Sequence, residues 1–139
     1  MAMILITGAN RGLGLEFTRQ YLSEGYAVIA AARNTGAAHR LRQLERDSKG
    51  SLSLVEADVA DNASVRRAAS NIKTPAIDLK SRGISCVVIN PGWVKTDMGG
   101  PNAKLTPEQS VTAMRRVIAE LGPNESGRFY NYDGREYPW

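Results

Sequence analysis

The chain has 139 residues, of which 42% are hydrophobic and 23% are charged, and its formal net charge is +4. This length fits one compact domain, which we predict to span residues 1–139, and the ordinary composition argues against a disordered chain. The basic residues are scattered among acids and form no run interleaved with aromatics, so we expect no nucleic-acid partner.

The first half of the chain alternates between predicted strands and predicted helices. The strands lie at Met3–Thr7, Ala27–Ala31 and Leu52–Glu56. The first is a continuous apolar run, which is typical of a strand buried on both faces. The predicted helices run from Leu13 to a stop at Gly25, over 36–47 and over about 62–72, the last with Val65, Ala69 and Ile72 facing inward. This alternation indicates a parallel sheet with crossover helices.

The second half is predicted to add two strands and one helix. Ile84–Ile89 is an apolar strand that ends before Asn90, and a short last strand covers 127–131. Between them, Thr106–Gln109 has the pattern of a capping box with proline in the first turn. The expected buried stripe of that helix is Val111, Met114, Val117, Ile118 and Leu121.

The segment Thr7–Gly14 reads TGANRGLG and joins the first predicted strand to the first helix. Gly8 allows a tight turn, Gly12 lets backbone amides approach a pyrophosphate, and Gly14 lets the helix pack close to the sheet. The N-terminus of the helix then presents N–H groups and a positive dipole end to the anion. The segment therefore predicts a dinucleotide site, and a tight turn without a ligand is the alternative.

The residue after the second strand indicates which dinucleotide is bound. Sites for NAD usually hold an acid there, which binds the ribose 2′-hydroxyl. This chain has Arg33 instead, and a guanidinium would pair with a 2′-phosphate. Arg11, inside the glycine-rich segment, is a second cation for the same region. These residues favour NADP(H), with NAD(H) as a possible cofactor.

Three motifs together resemble the short-chain dehydrogenase/reductase family, within it the C-factor and sniffer-type carbonyl reductases, over residues 3–139. They are the T-G-x-x-x-G-x-G segment, the acidic turn Ala57–Val59, and Asn90–Thr96, which matches P-G-x-x-x-T. In the family these motifs contact the phosphates, the adenine and the nicotinamide. The resemblance implies cofactor-binding roles for Gly8, Asn10, Arg11, Gly12, Leu13, Gly14, Arg33, Asp58, Val59, Pro91, Gly92, Val94 and Thr96.

The family's catalytic residues are missing from this sequence. The family carries N-N-A-G on its fourth strand, Ser on the fifth and Tyr-x-x-x-Lys on the next helix, and none of these is present. Residues 74–79 resemble the lead-in to the fourth strand, and they run directly into Lys80–Gly83, which resembles the end of the catalytic helix. This predicts an internal deletion and a truncated Rossmann-type α/β three-layer sandwich with about five parallel strands in the order 3-2-1-4-5.

Two classes of function follow from this pattern. One is an NADP(H)-dependent oxidoreductase that reduces a small carbonyl, dicarbonyl or quinone compound, including a signalling molecule of that kind. Its proton donor would be water or one of four weak candidates, Tyr130, Tyr132, Lys95 and Thr96. The other is a non-catalytic nucleotide-binding module that acts in signalling or through a protein partner. Because the deletion removes the family's usual dimer helices, we expect a homodimer through a different surface.

The remaining residues limit location and chemistry. A single cysteine, Cys86, excludes an internal disulfide, agrees with a reducing cytoplasm and is predicted to be a buried core thiol. The first apolar run is too short for a signal or a membrane span, so we expect a cytoplasmic protein with no membrane partner. No Cys/His cluster offers a metal site, and His39 is expected on the surface of a polar helix.

Overall fold

The structure is a computed structural model, and it describes residues 3–58, 60–71 and 87–138. The chain divides into two units, Met1–Ala76 and Ile77–Trp139, which are treated separately below. Both units combine strands with helices, in agreement with the predicted α/β class.

The first unit has three strands, each followed by a helix. Its elements are β1 (Met3–Thr7), α1 (Gly12–Ser23), β2 (Ala27–Ala32), α2 (His39–Asp47), β3 (Leu52–Glu56) and α3 (Asn62–Asn71). The strands are parallel and lie in the order β1-β2-β3. The predicted elements and the predicted order 3-2-1 are confirmed, although α2 begins three residues later than expected.

The core of this unit lies on one face of the sheet. Val28, Ala30 and Leu52 from the strands pack with Leu41 of α2, and side chains of α1 surround them. Alternate side chains of a strand point to opposite faces of the sheet. Ile6 packs against this cluster, whereas Met3 and Leu5 lie on the opposite face of β1. Met3 and Leu5 therefore stay 59% and 53% exposed, and the prediction that β1 is buried on both faces is wrong.

The buried face of α3 also differs from the prediction. Val65 is 41% exposed, whereas Ser64 and Ala68 are buried. Ser64 and Ala68 are four residues apart and so share one face of the helix. Ser64 is drawn inward because its hydroxyl accepts a backbone N–H from the preceding turn. The predicted burial of Ala69 and Ile72 lies outside the described side chains.

The second unit contains three short strands and one long helix. These are β4 (Val88–Asn90), α4 (Pro107–Glu120), β5 (Phe129–Asn131) and β6 (Glu136–Tyr137). β4 and β5 are parallel, as predicted, and β5 and β6 are antiparallel. β6 was not predicted, and it departs from an all-parallel sheet. Residues 84–86, including Cys86, lie outside the described residues.

The start of α4 is confirmed in atomic detail. The N–H of Gln109 donates to the Thr106 hydroxyl oxygen at 3.2 Å, and the N–H of Thr106 donates to the Gln109 side-chain oxygen at 2.9 Å. Val111, Met114 and Val117 are buried as expected. The stripe differs at two positions, because Ile118 is 41% exposed and Leu121 is the half-buried C-cap residue of the helix.

The predicted strand order is thus confirmed in two pieces, 3-2-1 and 4-5. The pairing of the first strand with the fourth, the single domain over 1–139 and the internal deletion stay predictions. Within the described ranges, no helix is both long enough and apolar enough to cross a bilayer.

Candidate cofactor site

A cavity of about 290 Å³ opens at the carboxyl ends of the three parallel strands of the first unit. Its volume lies near the lower end of the range of about 300–1,000 Å³ that is usual for small-molecule sites. The lining residues come from the ends of all three strands: Thr7, Gly8, Asn10, Arg11, Ala32, Arg33 and Ala57. The structure therefore brings together four of the predicted cofactor-binding residues, Gly8, Asn10, Arg11 and Arg33. The first and the last of these are 25 positions apart in the sequence.

Backbone hydrogen bonds continue the sheet into the wall of this cavity. The N–H of Ala9 donates to the carbonyl oxygen of Ala31 at 3.1 Å. On the other side of β2, the N–H of Ala57 donates to the carbonyl oxygen of Ala32 at 2.9 Å. The segments after β1 and β3 are thus held against the end of β2, which places Arg33 at the rim.

The glycines of the loop have measurable steric roles. Gly8 has φ +64°, a left-handed conformation that side chains other than glycine disfavour. At Gly14, a Cβ atom would lie 2.3 Å from the carbonyl oxygen of Gly8. This contact is with backbone, which cannot swing away as a side chain can. The helix therefore packs against the loop as closely as the sequence predicted.

The first turn of α1 is well suited to an anion. Arg11 is the N-cap residue, with extended backbone and no side-chain cap on the helix, and the turn contains no acidic residue. The N-terminus of α4, by contrast, carries a capping box and Glu108. Free N–H groups and the helix dipole favour negative charge at such an end. Arg11 and Arg33 are both exposed and add positive charge to the cavity wall.

Several predicted cofactor residues do not line this cavity. Gly12, Leu13 and Gly14 form the first turn of α1 beside it. Asp58 is half-buried and directly follows the lining residue Ala57. Val59 lies outside the described residues. Sequence reasoning did not assign Thr7, Ala32 or Ala57 as site residues, although Thr7 and Ala57 begin two of the predicted motifs and Ala32 directly precedes Arg33.

In the second unit, the segment Pro91–Thr96 is held by its own hydrogen bonds. The Ser110 hydroxyl of α4 donates to the carbonyl oxygen of Pro91 at 2.7 Å. The Thr96 hydroxyl accepts the N–H of Gly99 at 3.2 Å, and Val94 is buried. Pro91, Gly92, Val94 and Thr96 therefore lie in one loop that is held by hydrogen bonds, and their contact with the nicotinamide stays a prediction.

The four candidate proton donors all lie in the described part of the second unit. The ring of Tyr132 lies so close to Gly92 that a Cβ there would come within 2.9 Å of a ring carbon. Tyr130 is 8% exposed and lies near the Arg128 guanidinium. The nearby Glu136, and to a smaller extent Tyr130, raise the pKa of Arg128, so this guanidinium stays charged. Lys95 is exposed.

Comparison with known proteins identifies the family. The family model described as short chain dehydrogenase matches residues 2–78, which is more than half of the chain. The chain belongs to this family. Among its curated relatives is the C-signal protein of Myxococcus xanthus, which is 48% identical over 68 residues, or 49% of this chain and 41% of the relative. The predicted family membership is confirmed.

Solved structures of carbonyl reductases share the fold. The carbonyl reductase Sniffer of D. melanogaster superimposes with a TM-score of 0.86 at 20% identity, covering 100% of both chains. An NADPH-bound carbonyl reductase from chicken fatty liver also reaches 0.86, at 22% identity, covering 99% of this chain and 98% of its own. At these identities the likeness shows the fold alone. The chain spans less than half the length of the curated relatives that it matches.

Proposed function

We propose that this chain binds NADP(H) and acts as an oxidoreductase that reduces a small carbonyl, dicarbonyl or quinone compound. The observation that carries the proposal is the cavity at the carboxyl ends of β1, β2 and β3, where the glycine-rich loop meets Arg33 and Ala57. In open α/β sheets, ligands bind at this edge.

The residues around the cavity fit the phosphates of NADP(H). The uncapped first turn of α1 provides N–H donors for a pyrophosphate. Arg11 and Arg33 line the cavity, and their guanidinium groups would pair with a 2′-phosphate, which NAD(H) lacks. The resemblance to the family implies a contact of Asp58 with the adenine and contacts of Val94 and Thr96 with the nicotinamide, and these roles stay predictions. NAD(H) remains the weaker alternative cofactor.

When bound, NADPH supplies the hydride, so the protein must bind and orient it and provide a proton. Tyr132, Tyr130, Lys95 and Thr96 are the chain's own candidates for that proton. The Thr96 hydroxyl already accepts a backbone N–H within its loop, and the Tyr130 side chain lies near the Arg128 guanidinium. A positioned acid typically contributes about 10²–10⁴-fold to the rate. We therefore expect slower turnover than in relatives that have Tyr-x-x-x-Lys, with activated substrates such as diones and quinones turned over fastest.

One experiment tests both parts of the proposal. Purified full-length chain is mixed with NADPH and a panel of small aldehydes, ketones, diones and quinones, and loss of the reduced-nicotinamide absorbance band is followed. NADPH binding is measured in parallel by calorimetric titration. Oxidation above the protein-free background supports the enzyme. Absence of NADPH binding would refute the cofactor assignment.

A second function is favoured by one observation, the absence of any Tyr followed four residues later by Lys. In that case the chain is a non-catalytic nucleotide-binding module that acts in signalling or through a protein partner. Tight NADPH binding without oxidation of any substrate in the panel would support this function over the enzyme. We also propose a cytoplasmic location and a homodimer, and a monomer in solution would contradict the dimer.

A further inference from the structure

Four side-chain hydrogen bonds hold the turn between β3 and α3. The Ser64 hydroxyl oxygen accepts the N–H of Asp58 at 3.0 Å. One carboxylate oxygen of Asp58 accepts the N–H of Ala60 at 3.0 Å. The Asp61 carboxylate accepts the N–H groups of Ala63 and Ser64 at 2.9 and 3.1 Å, which caps α3. The bond from Asp58 to Ser64 is the one that ties the end of the strand to the helix.

This bond acts directly on the cavity wall. The N–H that Ser64 accepts belongs to the peptide group between Ala57 and Asp58, and Ala57 lines the cavity. The N–H of Ala57 is itself bonded to Ala32, another lining residue, at 2.9 Å. Ala57 is therefore held by the peptides on both of its sides: the preceding one is bonded to β2, and the following one is bonded to α3.

We propose that Ser64 is a positioning residue for the adenosine half of the cofactor. It is 8% exposed, so its hydroxyl is reserved for the protein interior rather than for a ligand. Without it, the part-buried N–H of Asp58 loses its acceptor, and the turn must shift to find water. That shift moves the Ala57 wall and the Asp58 side chain together. The inference rests on the proposed cofactor, because it assigns Ser64 to the same site.

The chain supplies a matched control at the opposite end of the same strand. The Ser48 hydroxyl oxygen accepts the N–H of Leu52, the first residue of β3, at 3.2 Å. Like Ser64, Ser48 accepts a part-buried backbone N–H next to β3, but it lies at the amino end, away from the cavity. Removing either hydroxyl takes away the acceptor of one part-buried backbone N–H, but only the bond to Ser64 lies beside the cavity.

The experiment measures the dissociation constants of NADPH and of adenosine 2′,5′-bisphosphate for four proteins: wild type, S64A, S64T and S48A. We expect S64A to raise the dissociation constants of both ligands about tenfold, which corresponds to about 1.4 kcal/mol of binding free energy. Equal loss for both ligands places the effect in the adenosine half. S64T keeps a hydroxyl and is expected to restore binding, and S48A is expected to bind as wild type does. Thermal unfolding of each variant is recorded alongside.

Each other outcome has a definite meaning. If S64A binds both ligands as wild type does, or weakens NADPH alone, the role of Ser64 is refuted while the proposed cofactor stands. Equal weakening by S48A and S64A would also refute it, because the effect would then be general loss of stability. If S64A does not fold, S64C takes its place, since sulfur is a poor acceptor of similar size. If wild type binds neither ligand, the proposed function itself fails.

Discussion

Replacing Arg33 by aspartate should change the cofactor preference of this chain. Arg33 lies at the rim of the cavity, directly after β2, and is exposed. A phosphate carries about −1.5 to −2 charges at neutral pH, whereas the ribose hydroxyl in NADH carries none. The substitution therefore removes an attraction for the 2′-phosphate of NADPH. NADH has no 2′-phosphate, so its binding does not lose this attraction.

The size of the effect follows from the exposure of Arg33. Unit charges 4 Å apart interact by about 1 kcal/mol at the dielectric constant of water. For a phosphate with about two charges, removal of the guanidinium loses about 2 kcal/mol, and reversal of its charge loses about 4 kcal/mol. Since each 1.4 kcal/mol is tenfold, Arg33→Asp should weaken NADPH about 10³-fold at low salt. Screening reduces the difference as ionic strength rises.

Calorimetric or fluorescence titration of NADPH and NADH, at low and at physiological salt, measures this effect. Arg46→Asp is the matched control, because it changes the net charge by the same amount. Arg46 is exposed in the last turn of α2. This turn lies towards the amino ends of the strands, at the edge of the sheet opposite the cavity. NADPH affinity unchanged in Arg33→Asp would refute the reasoning. The reasoning would also be refuted if Arg33→Asp weakened the binding of NADPH and NADH equally, or if Arg33→Asp and Arg46→Asp weakened NADPH binding equally.

Substitutions at three further positions test the fold around and outside the site. Gly14→Ala should lower the free energy of unfolding in urea by about 1–3 kcal/mol, because the added Cβ would lie 2.3 Å from the carbonyl oxygen of Gly8. A decrease of less than about 0.5 kcal/mol would contradict the close packing of α1 against the loop. Thr106→Ala should cost about 1 kcal/mol through loss of the α4 cap, and Thr106→Ser should recover most of it. A hydrogen bond from Arg19 lowers the pKa of Glu16 below 4.5, so the pair stabilises the fold above that pH and the stabilisation is lost as the pH falls through the lowered value. Thermal unfolding of Glu16→Gln should therefore differ from wild type at neutral pH, by less than about 1 kcal/mol, and converge with it in acid; a constant difference would refute the pairing.

Much of the fold was predictable because it depends on short-range physics. The glycine-rich loop, the α4 cap and the three strands of the first unit each depend on residues within one turn or one strand. The order 3-2-1 followed from the alternation of strands and helices, since consecutive parallel strands joined by right-handed crossovers lie side by side. Family membership followed from three such local motifs taken together.

The errors arose where burial depends on what packs against an element. Met3 and Leu5 have the apolar pattern of a buried strand, yet the cluster occupies only the Ile6 face of β1. Val65 is apolar and exposed, whereas the polar Ser64 is buried because Asp58 needs an acceptor for its N–H. β6 has only two residues, too few for a periodic pattern, and exists because β5 offers it an edge.

The sequence by itself determined the family, the order of the elements, the glycine-rich loop and the cation at the end of β2. These are properties of residue type at fixed local spacing. Only the tertiary structure decided that Ala32 and Ala57 line the same cavity as Gly8 and Arg33. It also decided that Ser64 holds that wall, since a hydrogen bond across a turn depends on where the backbone brings its two ends.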